Sequence, residues 1–420
     1  MPHRTKSHAH PAQKAQIQAQ IKIKSKTQAM RSTNSNKQNN DKQNKKGRVV
    51  ILASLAILAV LILSICALYA PLRVVEYRLK LPSEQASSAP ITIALLSDLH
   101  SGKMYQKEIL AALRARMPDI IAMPGDMIDD KVAMRDAWEF FDSLDSHALK
   151  NIPRFYVSGN HEFWSGEIVH IKQRLREAGV IVLDSSAPKQ NLAINGVNIE
   201  IWGVDDPYVY AYDEEGARKK EATKKHNKQW SERVIDRQWE AGIKSIFENA
   251  LDFDKNADLA DLDSGAKSGD LDSRAPLDSG ENLDSAPKSS ASPKAPFRIL
   301  LSHRPEFVEI FRTLPVDLIL SGHTHGGQVR LPFVNGLYAP NQGIFPKYAG
   351  GQYTLESASL DSSVSDSDIL DSRARMQNAR QKPQNMRQKT LIVSRGLSFN
   401  PVLPRIFNPP EIVFITLESI

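Results

Sequence analysis

Five short apolar runs, each ending in a cluster of small and polar residues, fix most of what this 420-residue chain can become. Ile91 to Leu96 precedes Asp98 and His100, Asp119 to Met123 precedes Gly125-Asp126, and Arg154 to Val157 precedes Gly159-Asn160-His161-Glu162. Phe297 to Leu301 precedes Ser302-His303-Arg304, and Leu318 to Leu320 precedes Ser321-Gly322-His323-Thr324-His325. Runs this short, bounded by turn residues, read as buried strands. Helical segments, Lys107 to Met117 and Trp138 to Leu144, lie between the early runs, so the order is strand, loop, helix, strand. That alternation predicts an α/β core whose polar side chains gather at the carboxyl ends of strands.

In extended backbone, residues two apart point to the same side, so His323 and His325 can present two imidazoles to one small volume. Gly322, Gly326 and Gly327 flank them and leave room for close backbone approach. Taken alone, the stretch also fits a polar turn with two incidental histidines. Five of the eleven histidines, however, sit at the five strand ends together with Asp98, Asp126 and Asn160. The single cysteine, Cys66, excludes intramolecular disulfides and thiolate zinc sites, so a metal here must use His, Asp, Glu or Asn.

The remaining sequence sets the domain organisation. Residues 1–48 hold twelve Lys or Arg against Asp41 alone, leaving 42 basic and 47 acidic residues in the rest. The folded part is therefore mildly acidic and shows no basic footprint for nucleic acid. The tail is poor in apolar residues and is expected to be disordered. Residues 49–70 carry no charge. At 1.5 Å per residue they span about 33 Å, enough for a hydrocarbon core of about 30 Å. They read as an uncleaved transmembrane anchor, too long for a signal-peptide core and preceded by too long a segment. The basic tail would hold the N-terminus in the cytoplasm and place residues 71–420 outside it. Leu192 to Gly203 reads as a hairpin around Asn195-Gly196, and 212–249 as partly helical. Stretches 251–296 and 357–390 repeat a Leu-Asp-Ser unit at irregular spacing and read as low-complexity insertions. Thr390 to Val393 and Ile412 to Leu417 return to strand, with antiparallel pairing expected to complete the sheets.

In this order, Asp98-x-His100, Gly125-Asp126-x-x-Asp129, Gly159-Asn160-His161-Glu162, His303 and Gly322-His323-x-His325 resemble the calcineurin-like metallophosphoesterase family. The resemblance covers roughly 91–250, 297–356 and 391–420, and the insertions depart from it. Gly326 to Pro332, Ser394-Arg395-Gly396 and Pro410-Glu411-Ile412 look like that family's membrane-anchored or exported branch. The resemblance implies a four-layer α/β arrangement, a β-sandwich flanked by helices, with two divalent metal ions. Asp98, His100 and His325 would hold one ion, Asn160, His303 and His323 the other, and Asp126 would bridge them. His161 would protonate the leaving alkoxide. Oxygen and nitrogen ligands without thiolate suit Mn, Fe or Zn, with Mg also admissible. The implied reaction is hydrolysis of a phosphate ester, mono- or diester, with a lipid-linked substrate as the finer expectation. The competing reading is a catalytically silent scaffold of the same fold at the membrane.

Nearby residues carry less. Glu162 orients His161 or caps the segment after it, and Asp129 supports a ligand from behind. Arg304 either contacts phosphate or faces solvent, and Asp205-Asp206 reads as turn chemistry. His147, His170 and His226 lie outside every block and read as surface or packing residues. Phe333 to Tyr353 comes directly after the paired histidines and reads either as a packed loop or as an apolar rim near the metals.

Overall fold

A computed structural model of the chain describes residues 11–83, 85, 87–145, 148–212, 233–249, 295–331, 333, 335–356, 388–398 and 404–419. The Leu-Asp-Ser stretches at 251–294 and 357–387, and also His147 and His226, lie outside the described residues. The chain divides into two compact units, Met1–Ala67 and Leu68–Ile420.

The described residues of the first unit lie in one helix, α1 (Pro11–Leu68). The apolar half is helical as expected, and its side chains from Val49 to Ile65 are exposed. The same helix runs through the basic stretch from Pro11 to Arg48. Between Pro11 and Gly47 no Pro or Gly interrupts a stretch in which Gln, Lys and Ala, all good helix formers, make up about half the residues, and Pro11 suits a first turn. Thr27 and Thr33 donate back to the carbonyls of Ile23 and Ala29, one turn earlier.

The second unit is a sandwich of two six-stranded sheets. In chain order its strands are β1 (Arg73–Lys80), β2 (Ile91–Leu95), β3 (Ile120–Pro124), β4 (Arg154–Val157), β5 (Ile181–Val182), β6 (Lys189–Ile194) and β7 (Val197–Gly203). Next come β8 (Phe297–Leu301), β9 (Leu318–Ser321), the short ribbon β10 (Tyr338–Ala339) and β11 (Gly343–Ile344), β12 (Gly351–Leu355), β13 (Lys389–Val393) and β14 (Glu411–Glu418). The first sheet runs β1-β14-β2-β3-β4-β5 and the second β12-β13-β9-β8-β7-β6.

Alternation along the strands builds the layers. Ile93 and Leu95 of β2 face inward and pack with Ile201, Leu301 and Leu320 from the facing sheet. Ala94 points the other way, toward a core shared with α2 (Gln106–Arg116), α3 (Arg135–Leu144) and, after the short α4 (Asn160–Trp164), α5 (Ile168–Glu177). On the far side Trp239, Ile243 and Phe247 of the helix at 233–249 (α6), with Phe311 of α7 (Val308–Thr313), cover the second sheet. The result is four layers, α-β-β-α, as expected.

Strands β2, β3 and β4 run parallel, as do β7, β8 and β9, so their carboxyl ends emerge together. Asn195 and Gly196 turn the β6–β7 hairpin at φ of 50° and 81°, the conformation the Asn-Gly pair predicts. The closing strands are mixed. β14 is antiparallel to β2 but parallel to β1, and β13 is antiparallel to β12 but parallel to β9.

Candidate metal centre

Each parallel strand delivers its polar residues immediately after its last ladder bond. His100 N–H donates to the Asp126 carbonyl at 2.9 Å and Gly322 N–H to the His303 carbonyl at 3.0 Å, so the loops are laced edge to edge. Gly125 is required here. It has φ of +85°, and a Cβ on it would lie 2.6 Å from His303 Nδ1. Asp98, His100, Asp126, His323 and His325 themselves sit at positive φ, from 47° to 71°, a region non-glycine residues rarely adopt. Such strain concentrates where a side chain must be aimed.

The aim produces two adjoining clusters. In one, His100 Nε2 faces His325 Nε2 at 3.2 Å, and His325 Nε2 is 3.7 Å from Asp98 Oδ1. In the other, His303 Nε2 lies 3.1 Å from Asp126 Oδ2 and 3.2 Å from His323 Nδ1. Asp126 Oδ2 is also 3.6 Å from His100 Nε2, so the one carboxylate reaches both clusters. The buried Asn160 amide oxygen has no hydrogen-bond partner among the described residues. The structure thus gathers Asp98, His100, Asp126, His303, His323 and His325, with His161 beside them; Asn160 directly precedes His161 at the start of α4.

Supports fix these groups from behind. His303 Nδ1 donates to the Pro124 carbonyl at 2.8 Å, and His100 Nδ1 to Asp129 Oδ1 at 2.9 Å. Asp98 accepts the His323 N–H at 2.9 Å, and Asn408 Nδ2 donates to the His325 carbonyl at 2.7 Å. Glu162, fully buried, accepts from the backbone N–H groups of Gly159, Ile128 and Asp126 at 2.9, 3.0 and 3.1 Å. It therefore braces the Asp126 loop. His161 Nδ1 is 2.7 Å from Asp130 Oδ1 and 3.1 Å from Asp129 Oδ1, leaving Nε2 directed to the clusters, 4.0 Å from Asp126 Oδ2. Trp164 packs on its ring at 4.8 Å between centroids. Asp130 is a support that the sequence reading misses, although its doublet with Asp129 is a visible signal.

Arg304 does not face solvent. It is buried and donates through Nε and Nη2 to Asp206 at 2.6 and 2.9 Å. Asp206 also accepts the Tyr208 N–H, which is turn chemistry, while Asp205 is bound by Ser158 Oγ at 2.6 Å and Lys172 Nζ at 2.7 Å. His170 is an exposed residue of α5.

The electrostatics come from burial and crowding. Burial raises the Asp98 carboxyl. Burial would do the same to Asp126, but His303, His161 and His100 overcome it and hold that carboxyl well below the usual range. Burial and neighbouring histidines keep His323 and His325 well below ordinary imidazole values. Burial lowers His161 as well, yet Asp126, Asp129 and Asp130 outweigh it and push it up to about 9. Ring nitrogens facing one another across 3.2 Å, with carboxylates beside them, fit small divalent cations of mixed nitrogen and oxygen preference.

A sandwich whose strand ends place two histidine and carboxylate clusters around one shared aspartate is the layout of a two-metal hydrolase. The chain belongs to the calcineurin-like phosphoesterase family, which its residues 91–327, more than half its length, match. That is a family of metal-dependent phosphoric ester hydrolases. A Campylobacter jejuni protein described as an uncharacterised metallophosphoesterase is 24% identical over 311 residues, covering 69% of this chain and 62% of its own length. A Caenorhabditis elegans protein named as a metallophosphoesterase is 25% identical over 280 residues, 64% of this chain and 42% of its own. The chain therefore spans less than two thirds of these relatives. Among solved structures, the Haemophilus influenzae NAD nucleotidase aligns with TM-score 0.36 at 16% identity, over 73% of this chain and 45% of that one.

Proposed function

We propose that the chain is a membrane-anchored phosphohydrolase that cleaves a phosphomonoester or phosphodiester, with a lipid-linked substrate as the finer reading. The carrying observation is Asp126, whose carboxylate lies within 3.1 Å of His303 and 3.6 Å of His100 and so joins the two clusters. Asp98, His100 and His325 would hold one divalent cation, and Asn160, His303 and His323 a second, with Asp126 common to both. Mn, Fe or Zn suit this donor set, and Mg is admissible. Bound there, two cations lower the pKa of a water and neutralise charge on a phosphoryl group.

The chain's own residues handle the leaving group. Asp129 and Asp130 hold His161 Nδ1, so its proton for transfer sits on Nε2, on the side of the clusters. A pKa pushed up to about 9 keeps that proton in place at neutral pH, as a general acid requires. Glu162 holds the loop of Asp126 still, so the shared ligand does not have to be ordered during turnover. The uncharged stretch at 49–70 supports an anchor, and the basic tail before it supports a cytoplasmic N-terminus with the catalytic unit on the other side.

The test is hydrolysis of bis-p-nitrophenyl phosphate by the full chain in detergent. Activity lost on chelation and in Asp126→Asn is the expected result. An equal rate in that variant overturns the assignment, and a folded protein purified without chelator that contains no metal favours a silent scaffold.

A further inference from the structure

The chain leaves the apolar helix at Leu68, and its next residues are fastened to the catalytic side of the sandwich. Tyr105, at positive φ on the loop after His100, donates its hydroxyl to the Ala70 carbonyl at 2.7 Å. Three residues on, Arg73 N–H donates to the Pro410 carbonyl at 2.9 Å. The segment before Pro410 contains Asn408, which holds the His325 carbonyl at 2.7 Å. Residues 70–73, the first of the sandwich unit after the helix, and the metal-bearing loops therefore share one edge of that unit.

From the same edge projects an apolar surface. Val329 bridges Ile406, Leu337 N–H donates to the Val329 carbonyl at 2.9 Å, and Phe345 N–H to the Leu337 carbonyl at 2.9 Å, so the β10–β11 ribbon grows directly from the loop of His325. Phe333 is fully exposed, Ile344 is 70% exposed and Phe345 67%. Phe333, Phe345 and Phe407 all sit on left-handed backbone, at φ of 68°, 57° and 50°. Bulky residues avoid that conformation, and apolar ones avoid water, so three phenylalanines held outward in this way mark a surface built to be covered. Lys103, on the loop after His100, and Lys347, just beyond β11, are exposed and suit anionic headgroups.

We propose that this edge is a membrane-contacting rim: Phe333, Ile344, Phe345 and Phe407 seat in the lipid surface from which the helix emerges and hold the mouth of the metal centre against it. The proposal rests on reading residues 49–70 as a membrane span and extends the reading of the site as a phosphohydrolase of lipid-linked esters. A centre held in this way meets headgroup phosphates at the interface without extracting the whole lipid. The ribbon enters only the boundary region, to a depth of about 5–10 Å.

The test uses the full chain carrying Cys66→Ser, with an environment-sensitive fluorophore on Phe333→Cys, Ile344→Cys or, as a control on an exposed position of β7, Asn198→Cys. Each is reconstituted in phosphatidylcholine–phosphatidylglycerol vesicles whose acyl chains bear nitroxide quenchers. Quenching at 333 and 344 at least about threefold stronger than at 198 is expected for probes seated in the interface. Equal quenching at all three positions, in protein that resists carbonate extraction, overturns the rim while leaving the anchor intact. Protein that carbonate extracts overturns the anchor and the rim with it. Unchanged hydrolysis of the soluble diester shows each labelled protein to be folded.

Discussion

Asp206→Asn is the perturbation that most directly tests how the second sheet holds His303. Arg304, next to that histidine, is 5% exposed and Asp206 1%, with two guanidinium nitrogens on the carboxylate at 2.6 and 2.9 Å. The asparagine keeps an acceptor for the Tyr208 N–H but removes the charge that compensates the guanidinium. Leaving one member of a buried pair uncompensated costs about 3–5 kcal/mol, because the remaining charge loses its partner without regaining water. At about 2 °C per kcal/mol for a large domain, the midpoint of thermal unfolding should fall by about 6–10 °C. Urea unfolding followed by tryptophan fluorescence gives the free energy directly. The double variant Asp206→Asn/Arg304→Met should recover most of the loss, since an apolar replacement of both partners is often neutral. A single-variant loss below about 1 kcal/mol, the range of exposed pairs, would show that the pair is solvated and the reasoning wrong. So would a double variant no better than the single.

Two further outcomes concern the supports around the ligands. The His161 pKa is raised in the folded protein, so the stabilisation of its protonated form is complete below about 6.5, the unfolded value, and is lost as pH rises through about 9. Turnover should fall on the same alkaline side, and Asp130→Asn, which removes one of the carboxylates raising that pKa, should move the limb of the kcat profile to lower pH; an unmoved limb would take His161 out of the acid role. Gly125→Ala should strain a position at φ of +85° and displace His303, lowering metal content at subsaturating metal by about 10–100-fold while circular dichroism stays native. Full metal occupancy in that variant would contradict the close packing of Gly125 on the imidazole.

The five strand ends are legible because buried parallel strands declare themselves as short apolar runs, and because histidine and aspartate at their ends are hard to explain as packing. Element edges shift by a residue or two where apolar character outlasts the ladder, as at Leu96. Strand β1 is not legible. Its sequence alternates charged and apolar residues at a sheet edge, and its partner β14 lies at the other end of the chain. The Arg304–Asp206 pair is hidden for the same reason, since 98 residues separate its members and nothing local to either predicts the other. The supports of the centre, Asn408 and Asp130 among them, become visible only once the fold sets them against the histidines.

The left-handed backbone at Asp98, His100, Asp126, His323 and His325 has a consequence for any programme of directed evolution. Each of these positions would relax if occupied by glycine, because the conformation it holds is one that glycine adopts freely. Selection for heat resistance alone would therefore favour erasing the centre one position at a time, and a library screened without an activity gate would drift toward a sturdier, inert sandwich. Chemistry and robustness pull on the same five residues in opposite directions.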